Sequence, residues 1–117
     1  MQIYEAELKV MNLLWDKGDL SASEIVQIMK DLTDWNKNTT YTVIKKLVGK
    51  GAIERIEPGF ICHAVVSRED IRLTETTKLI DKLFDGSKST FFSTFLNDEK
   101  LSRKELDELK KMIDKLS

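Results

Sequence analysis

Along the first third of the chain, apolar residues recur at helical rather than strand spacing. Leu8, Met11, Leu14 and Trp15 make one stripe over about Glu5 to Lys17, which predicts a first helix closed by Gly18. Leu20 reads as a short extended link. Ser21-Ala22-Ser23-Glu24 fits a capping box: the Ser21 hydroxyl accepts from the Glu24 amide and the Glu24 carboxylate reaches back. A second helix follows to about Asp31 and buries Ile25, Ile28 and Met29. Thr33-Asp34-Trp35-Asn36 is a polar turn, with Trp35 expected to plug the core beneath it.

A third helix is predicted from about Asn38, a good N-cap, to Lys50, with Gly51 ending it. Val43, Ile44 and Leu47 face inward, and Thr39, Thr40, Thr42, Lys45 and Lys46 are left largely outside. Ala52–Glu57 and Phe60–Val65 read as two strands joined by a two-residue turn, Pro58-Gly59. Helix, short strand, helix, turn, helix and hairpin together make a helix-turn-helix with a β wing behind it.

Ser67, with Asp70 three residues on, caps a fourth helix that runs to about Phe84 and carries Ile71, Leu79, Ile80 and Leu83. Asp85-Gly86-Ser87 breaks it. A short aromatic-rich helix spans about Ser89 to Leu96. Ser102-Arg103-Lys104-Glu105 is a further capping box, and the last helix carries Leu106, Leu109, Ile113 and Leu116. The expected fold is mainly α with a small β wing: a winged helix-turn-helix domain over residues 1–67 and three C-terminal helices over 68–117. Three amphipathic helices of this size can hardly close a core alone. Leu79, Leu83, Phe91, Phe92, Phe95, Leu106, Leu109, Ile113 and Leu116 are therefore expected to pack against a second copy. A two-fold dimer would also set two reading helices about one DNA turn apart, or a small multiple of it.

Composition adds exclusions. The chain has 117 residues, 41% of them hydrophobic and 33% charged, as in an ordinary globular protein. No apolar run approaches the ~20 residues that span a bilayer, and no signal sequence is recognisable, so a cytoplasmic protein without membrane insertion is expected. Cys62 is the lone cysteine, so no internal disulfide or cysteine cluster is available. His63, the lone histidine beside it, reads as a packed or surface strand residue rather than as half of a two-ligand metal site. No nucleophile–base pair, phosphate-cradling glycine loop or paired-carboxylate motif is present, so neither an enzyme, a cofactor nor a metal site is expected.

The net charge of −1 hides an uneven distribution. Residues 1–36 hold three Lys and seven Asp or Glu, net −4. Residues 37–55 hold Lys37, Lys45, Lys46, Lys50 and Arg55 against Glu54, net +4. Residues 67–117 hold eleven of each sign. A basic patch confined to one helix and its wing fits a DNA footprint. Threonines are poor helix formers for a surface. Beside lysines they suit a helix that must fit a groove and touch phosphates and thymine methyls. The candidate DNA contacts are Lys37, Asn38, Thr39, Thr40, Tyr41, Thr42, Lys45, Lys46, Lys50 and Arg55. Thr39, Thr40 and Tyr41 would sit nearest the bases, Lys45 and Lys46 on phosphates, and Arg55 in the wing near the flanking backbone or minor groove. For Thr42 a back-bond to its own helix is the alternative.

The ordered blocks Ala6-Glu7-Leu8…Val10-Met11…Leu14-Trp15, Ser21-Ala22-Ser23-Glu24-Ile25 and Trp35…Thr39…Thr42-Val43-Ile44-Lys45-Lys46-Leu47…Lys50-Gly51 resemble the penicillinase repressor family, the BlaI/MecI/CopY group of bacterial winged-helix repressors. The resemblance covers essentially the whole chain. It implies a homodimer on palindromic double-stranded operators. In the β-lactam branch it further implies repression of resistance genes, relieved when a membrane sensor protease cuts the repressor. The copper branch senses metal at a C-terminal cysteine cluster, and Asp114-Lys115-Leu116-Ser117 carry no cysteine. The family's cut falls at an Asn-Phe bond in the short helix before the last. The matching position here is Thr94-Phe95, which keeps the Phe and replaces the Asn; Phe95 also suits a dimer core. Relatives often carry proline at the position of Lys37 and a basic residue at that of Tyr41. Tyr41 can bond a phosphate or pack on a sugar but cannot make a bidentate guanine contact. Three readings stay open: a repressor released by proteolysis, a repressor released by a small molecule or protein partner, and a winged-helix module that binds protein alone. The threonine-lysine surface speaks against the third.

Overall fold

The computed structural model describes residues 1–97 and 101–116. In chain order the elements are α1 (Glu5–Lys17), β1 (Leu20–Ser21), α2 (Ala22–Leu32), α3 (Lys37–Lys50), β2 (Ile53–Ile56), β3 (Ile61–Ala64), α4 (Arg68–Phe84), α5 (Lys88–Asn97) and α6 (Arg103–Leu116). They fall into two compact units, Met1–Glu75 and Thr76–Ser117, the division lying within α4. The architecture is the expected one, a winged helix-turn-helix followed by a helical C-terminal part.

In the first unit, three helices and the sheet enclose one apolar core. Val10, Met11, Leu13 and Leu14 come from α1, Ala22, Ile25 and Met29 from α2, and Val43, Ile44 and Leu47 from α3. Ala52, Ile53 and Cys62 close it from the wing. The stripe of α1 is turned slightly from its expected position. Leu8 is exposed, while Val10 and Leu13 are buried, because α1 packs on both α3 and the sheet and so needs a wider apolar face. Trp35 packs half-buried on the core, as expected. The α2 capping box forms: the Ser21 hydroxyl accepts from the Glu24 amide at 3.1 Å, and the Glu24 carboxylate accepts from the Ser21 amide at 3.0 Å.

The link at Leu20 is a strand. It adds β1 to the hairpin, giving a three-stranded antiparallel sheet in the order β1-β3-β2, with Leu20 opposite Cys62 and Ser21 opposite Ile61. An extended link has backbone groups to satisfy, and the free edge of β3 supplies their partners. The wing turn is longer than two residues. Ile56 pairs with Ile61, which leaves the four residues from Glu57 to Phe60 in the turn. Gly59, at φ 96°, takes a backbone conformation that favours glycine. The Glu57 carboxylate closes the turn by accepting from the Phe60 amide.

The second unit is built differently. The rings of Phe84, Phe92 and Phe95 each meet Phe91 edge-on, with centroids 5.0 to 5.5 Å apart. Yet Ile80 is the one buried residue among those described in this unit. Leu79, Leu83, Phe92, Phe95, Leu96, Met112, Ile113 and Leu116 are all exposed.

Candidate nucleic-acid interface

The candidate surface is the outer face of α3. Asn36, not Asn38, caps the helix: its Oδ1 accepts from the Thr39 amide at 2.8 Å. The helix therefore starts two residues earlier than the sequence suggests. This shift completes an inward stripe at Thr40, Val43, Ile44 and Leu47, spaced i, i+3, i+4, i+7. Thr40 is fully buried, which corrects the expectation that it lies outside, and its hydroxyl donates to Asn36 O at 3.3 Å. No contact from its side chain can reach a base.

Opposite that stripe, Asn38, Thr42, Lys45 and Gly49 follow one another at i, i+4, i+7, i+11 and make the outward ridge. Lys37, Thr39 and Lys46 are exposed beside it. The Thr42 hydroxyl donates to Asn38 O at 2.8 Å, the back-bond alternative, so its hydrogen is committed to its own helix. The first turn of α3 carries no acidic residue, so the positive end of the helix dipole is left uncompensated, a setting that favours phosphate.

Tyr41 is half-buried between the helix and the wing. Its ring meets Phe60 edge-on at 6.0 Å, and the Lys37 ammonium lies 5.9 Å from its centroid. It joins the reading helix to the wing as well as bordering the ridge. Arg55 stacks on the same Phe60 ring, 3.7 Å from its centroid, and pairs with Glu57. Arg55's hydrogen bond, and then the Phe60 amide, hold the exposed Glu57 carboxyl below its ordinary pKa. Part of the Arg55 charge is thus already matched within the wing.

Lys50 departs furthest from expectation. Its ammonium donates to Glu7 Oε1 at 2.5 Å and to Gln2 O at 2.9 Å, and lies 4.4 Å from the Tyr4 ring centroid. It points back to the start of α1 rather than outward from α3. Sequence reasoning missed both Glu7 and the Asn36 cap. The cap was legible in the stripe, had Thr40 been counted as an inward residue; nothing local signals that Glu7 meets a lysine 43 residues later.

Cys62 and His63 are successive strand residues and face opposite sides of the sheet. Cys62 is in the core, where burial, partly opposed by the Arg55 charge, pushes its pKa up to about 11. His63 is exposed, and its Nδ1 lies 2.7 Å from Asp19 Oδ1. That bond and the Asp19 charge raise the His63 pKa, with a smaller contribution from Glu54. The two side chains cannot share a ligand.

The residues expected at a dimer contact are all in the second unit. Leu79, Leu83, Phe92, Phe95, Ile113 and Leu116 are exposed, whereas Phe91, Leu106 and Leu109 are half-buried. Between α5 and α6 lies a half-open apolar cleft of about 580 Å³ lined by Phe92, Leu96, Leu109, Met112, Ile113 and Leu116 together with Ser89 and Ser93. Thr94 and Phe95 are within α5, with the Thr94 hydroxyl donating to Thr90 O.

Residues 3–115 match the sequence profile of the family described as Penicillinase repressor. The chain belongs to the penicillinase repressor family. It is 31% identical to the methicillin resistance regulatory protein MecI of Mammaliicoccus sciuri, over 97% of this chain and 94% of that protein. The penicillinase repressor of Staphylococcus aureus is 29% identical over the full chain and 94% of its own length. That of Bacillus licheniformis is 24% identical over 97% of this chain and 90% of its own length. The family is one of transcriptional repressors, not of enzymes. Among the described residues no helix is long and apolar enough to cross a membrane.

Proposed function

We propose that the protein is a homodimeric repressor of β-lactam resistance genes that grips a palindromic operator with two copies of α3 and is released when its C-terminal unit is cut. The observation that carries the reading is the division of α3. One face is wholly committed to the core, and the other presents Asn38, Thr39, Thr42, Lys37, Lys45 and Lys46. Short polar side chains on a ridge can enter a major groove, and lysines beside them can neutralise phosphates. Thr39, Asn38 and Tyr41 border the base edges; Thr42 offers its methyl group; Arg55 approaches the flanking backbone from the wing.

Self-association is supported by the second unit, where large apolar side chains are exposed and Ile80 alone, among the described residues, is buried. The names of the relatives support resistance genes as targets. Cleavage between Thr94 and Phe95 would separate α6 and the end of α5 from the rest and break up the apolar surface the dimer needs. A membrane sensor protease is the partner this implies.

A fluorescence titration against a palindromic duplex selected from random DNA tests the reading. Each lysine on a phosphate adds about 0.9 to the slope of log affinity against log salt, so in a dimer Lys46→Ala lowers the slope by about 1.8. An unchanged slope removes Lys46 from the interface, and equal affinity for random duplex refutes operator recognition. Incubation with the cognate sensor protease should give a break between Thr94 and Phe95; an intact chain that still releases DNA would point to a different trigger.

A further inference from the structure

We propose that Glu7 and Lys50 are a positioning pair that seats the reading helix, and that Lys50 is not a phosphate contact. The inference rests on the DNA-binding reading of α3 given above. Glu7 stands in the first turn of α1 and is 3% exposed. Its Oε1 accepts from Lys50 Nζ at 2.5 Å and from the Tyr4 amide at 2.8 Å. Its Oε2 is buried without a hydrogen-bond partner. An ammonium has three hydrogens. In Lys50, Glu7 and the Gln2 carbonyl are partners, and the Tyr4 ring face lies against the charge.

Such a pair adds little net stability compared with apolar side chains of similar volume, because both charges lose water. What it adds is geometry. Lys50 is the last residue of α3, and the helix is held at its other end by the Asn36 cap. A helix pinned at both ends has a fixed axial rotation. On α3 that rotation decides whether Asn38, Thr42 and Lys45 face the groove together. Beside the pair, Lys46 extends from the same half-open cleft of about 330 Å³, which Tyr4, Ala6 and Val43 also line. Lys46 therefore lies on the boundary between the pinned end and the outer face. Burial by itself would raise the Glu7 pKa, but the Lys50 hydrogen bond, the Tyr4 amide and the charges of Lys50 and Lys46 outweigh it, so the carboxylate stays ionised.

Lys50→Met, Glu7→Gln and Lys46→Ala are compared with the unaltered chain on the selected palindrome and on random duplex over a range of salt. Tryptophan fluorescence confirms that each is folded. For Lys50→Met the expected result is a ratio of specific to random affinity lowered about tenfold, equivalent to roughly one base contact, with no change in salt slope on either duplex. Lys50→Arg, which keeps the charge, should restore most of the ratio. Glu7→Gln, close in shape, should lower the ratio in the same way and serves as the test should Lys50→Met not fold. A slope reduced by about 1.8, as for Lys46→Ala, would make Lys50 a phosphate contact and overturn the proposal. An unchanged ratio in a folded Lys50→Met or Glu7→Gln would reduce the pair to a structural one and also overturn it. Should the unaltered chain itself show no preference for the palindrome, the DNA-binding reading would fall instead.

Discussion

Ile44 offers a test of how α3 is seated. It lies on the inner stripe of the reading helix, is fully buried, and is part of the core shared by α1, α2 and the wing. Ile44→Ala removes three carbons. At ~0.8 kcal/mol per buried methylene the transfer term is about 2.4 kcal/mol. A cavity that neighbouring elements only partly fill raises the total to about 3 to 4 kcal/mol, within the ~2–5 kcal/mol typical of such changes. A unit of this size has a stability of roughly 4–11 kcal/mol, so the loss is a large share of it. Trp15 and Trp35, the chain's two tryptophans, are both in the first unit, so their fluorescence in a urea titration follows that unit alone. With an m-value of about 1 kcal/mol per M, the midpoint should fall by about 3 M. Lys45→Ala, on the opposite face, should move it by no more than about 0.5 M. Equal midpoints for the two variants would mean that α3 does not present the faces described.

Three further outcomes follow from the same geometry. Thr40→Val replaces a buried hydroxyl whose hydrogen bond is long, so operator affinity and salt slope should not change and stability should shift by less than about 1 kcal/mol; a tenfold loss of operator affinity would put Thr40 against DNA. Cys62, buried and with its pKa pushed up to about 11, should resist a thiol reagent at pH 8 until urea unfolds the chain, and rapid labelling of the native protein would contradict its place in the core. The folded pKa of His63 lies above its unfolded value, so its bond to Asp19 contributes in full below about pH 6.5 and is lost as pH rises through the raised pKa. The ring resonances of this sole histidine should titrate above the usual value and return towards it in Asp19→Asn; identical titrations would remove the pairing.

Much of this was readable from pattern alone, for identifiable reasons. The ends of α1 and the capping box of α2 are local: Gly18, Ser21 and Glu24 act within four residues of themselves. The start of α3 was not, because Asn36 and Asn38 are equally good caps and the deciding fact is the burial of Thr40, a residue type usually read as polar surface. Membership of β1 in the sheet depends on β3, some forty residues downstream. The surroundings of Lys50 could not be read from its own segment. A lysine in a basic segment looks available until its acidic partner is placed, and Glu7 is 43 residues away in sequence. Glu57, only two residues from Arg55, was by contrast a partner that local sequence could have shown. The exposure of Thr39, Thr42, Lys45 and Lys46 followed from helical periodicity and stands as read, whereas Thr40, read with them, is buried.

A photo-crosslinker attached through Lys45→Cys, used on the selected operator after a reactive Cys62 is ruled out, reports most directly where α3 sits. Two crosslinked major-groove sites, related by the operator's dyad and about 10 base pairs or a multiple of that apart, with two chains per duplex, are the predicted result. A single site, one chain per duplex, or crosslinks scattered along the DNA would contradict it.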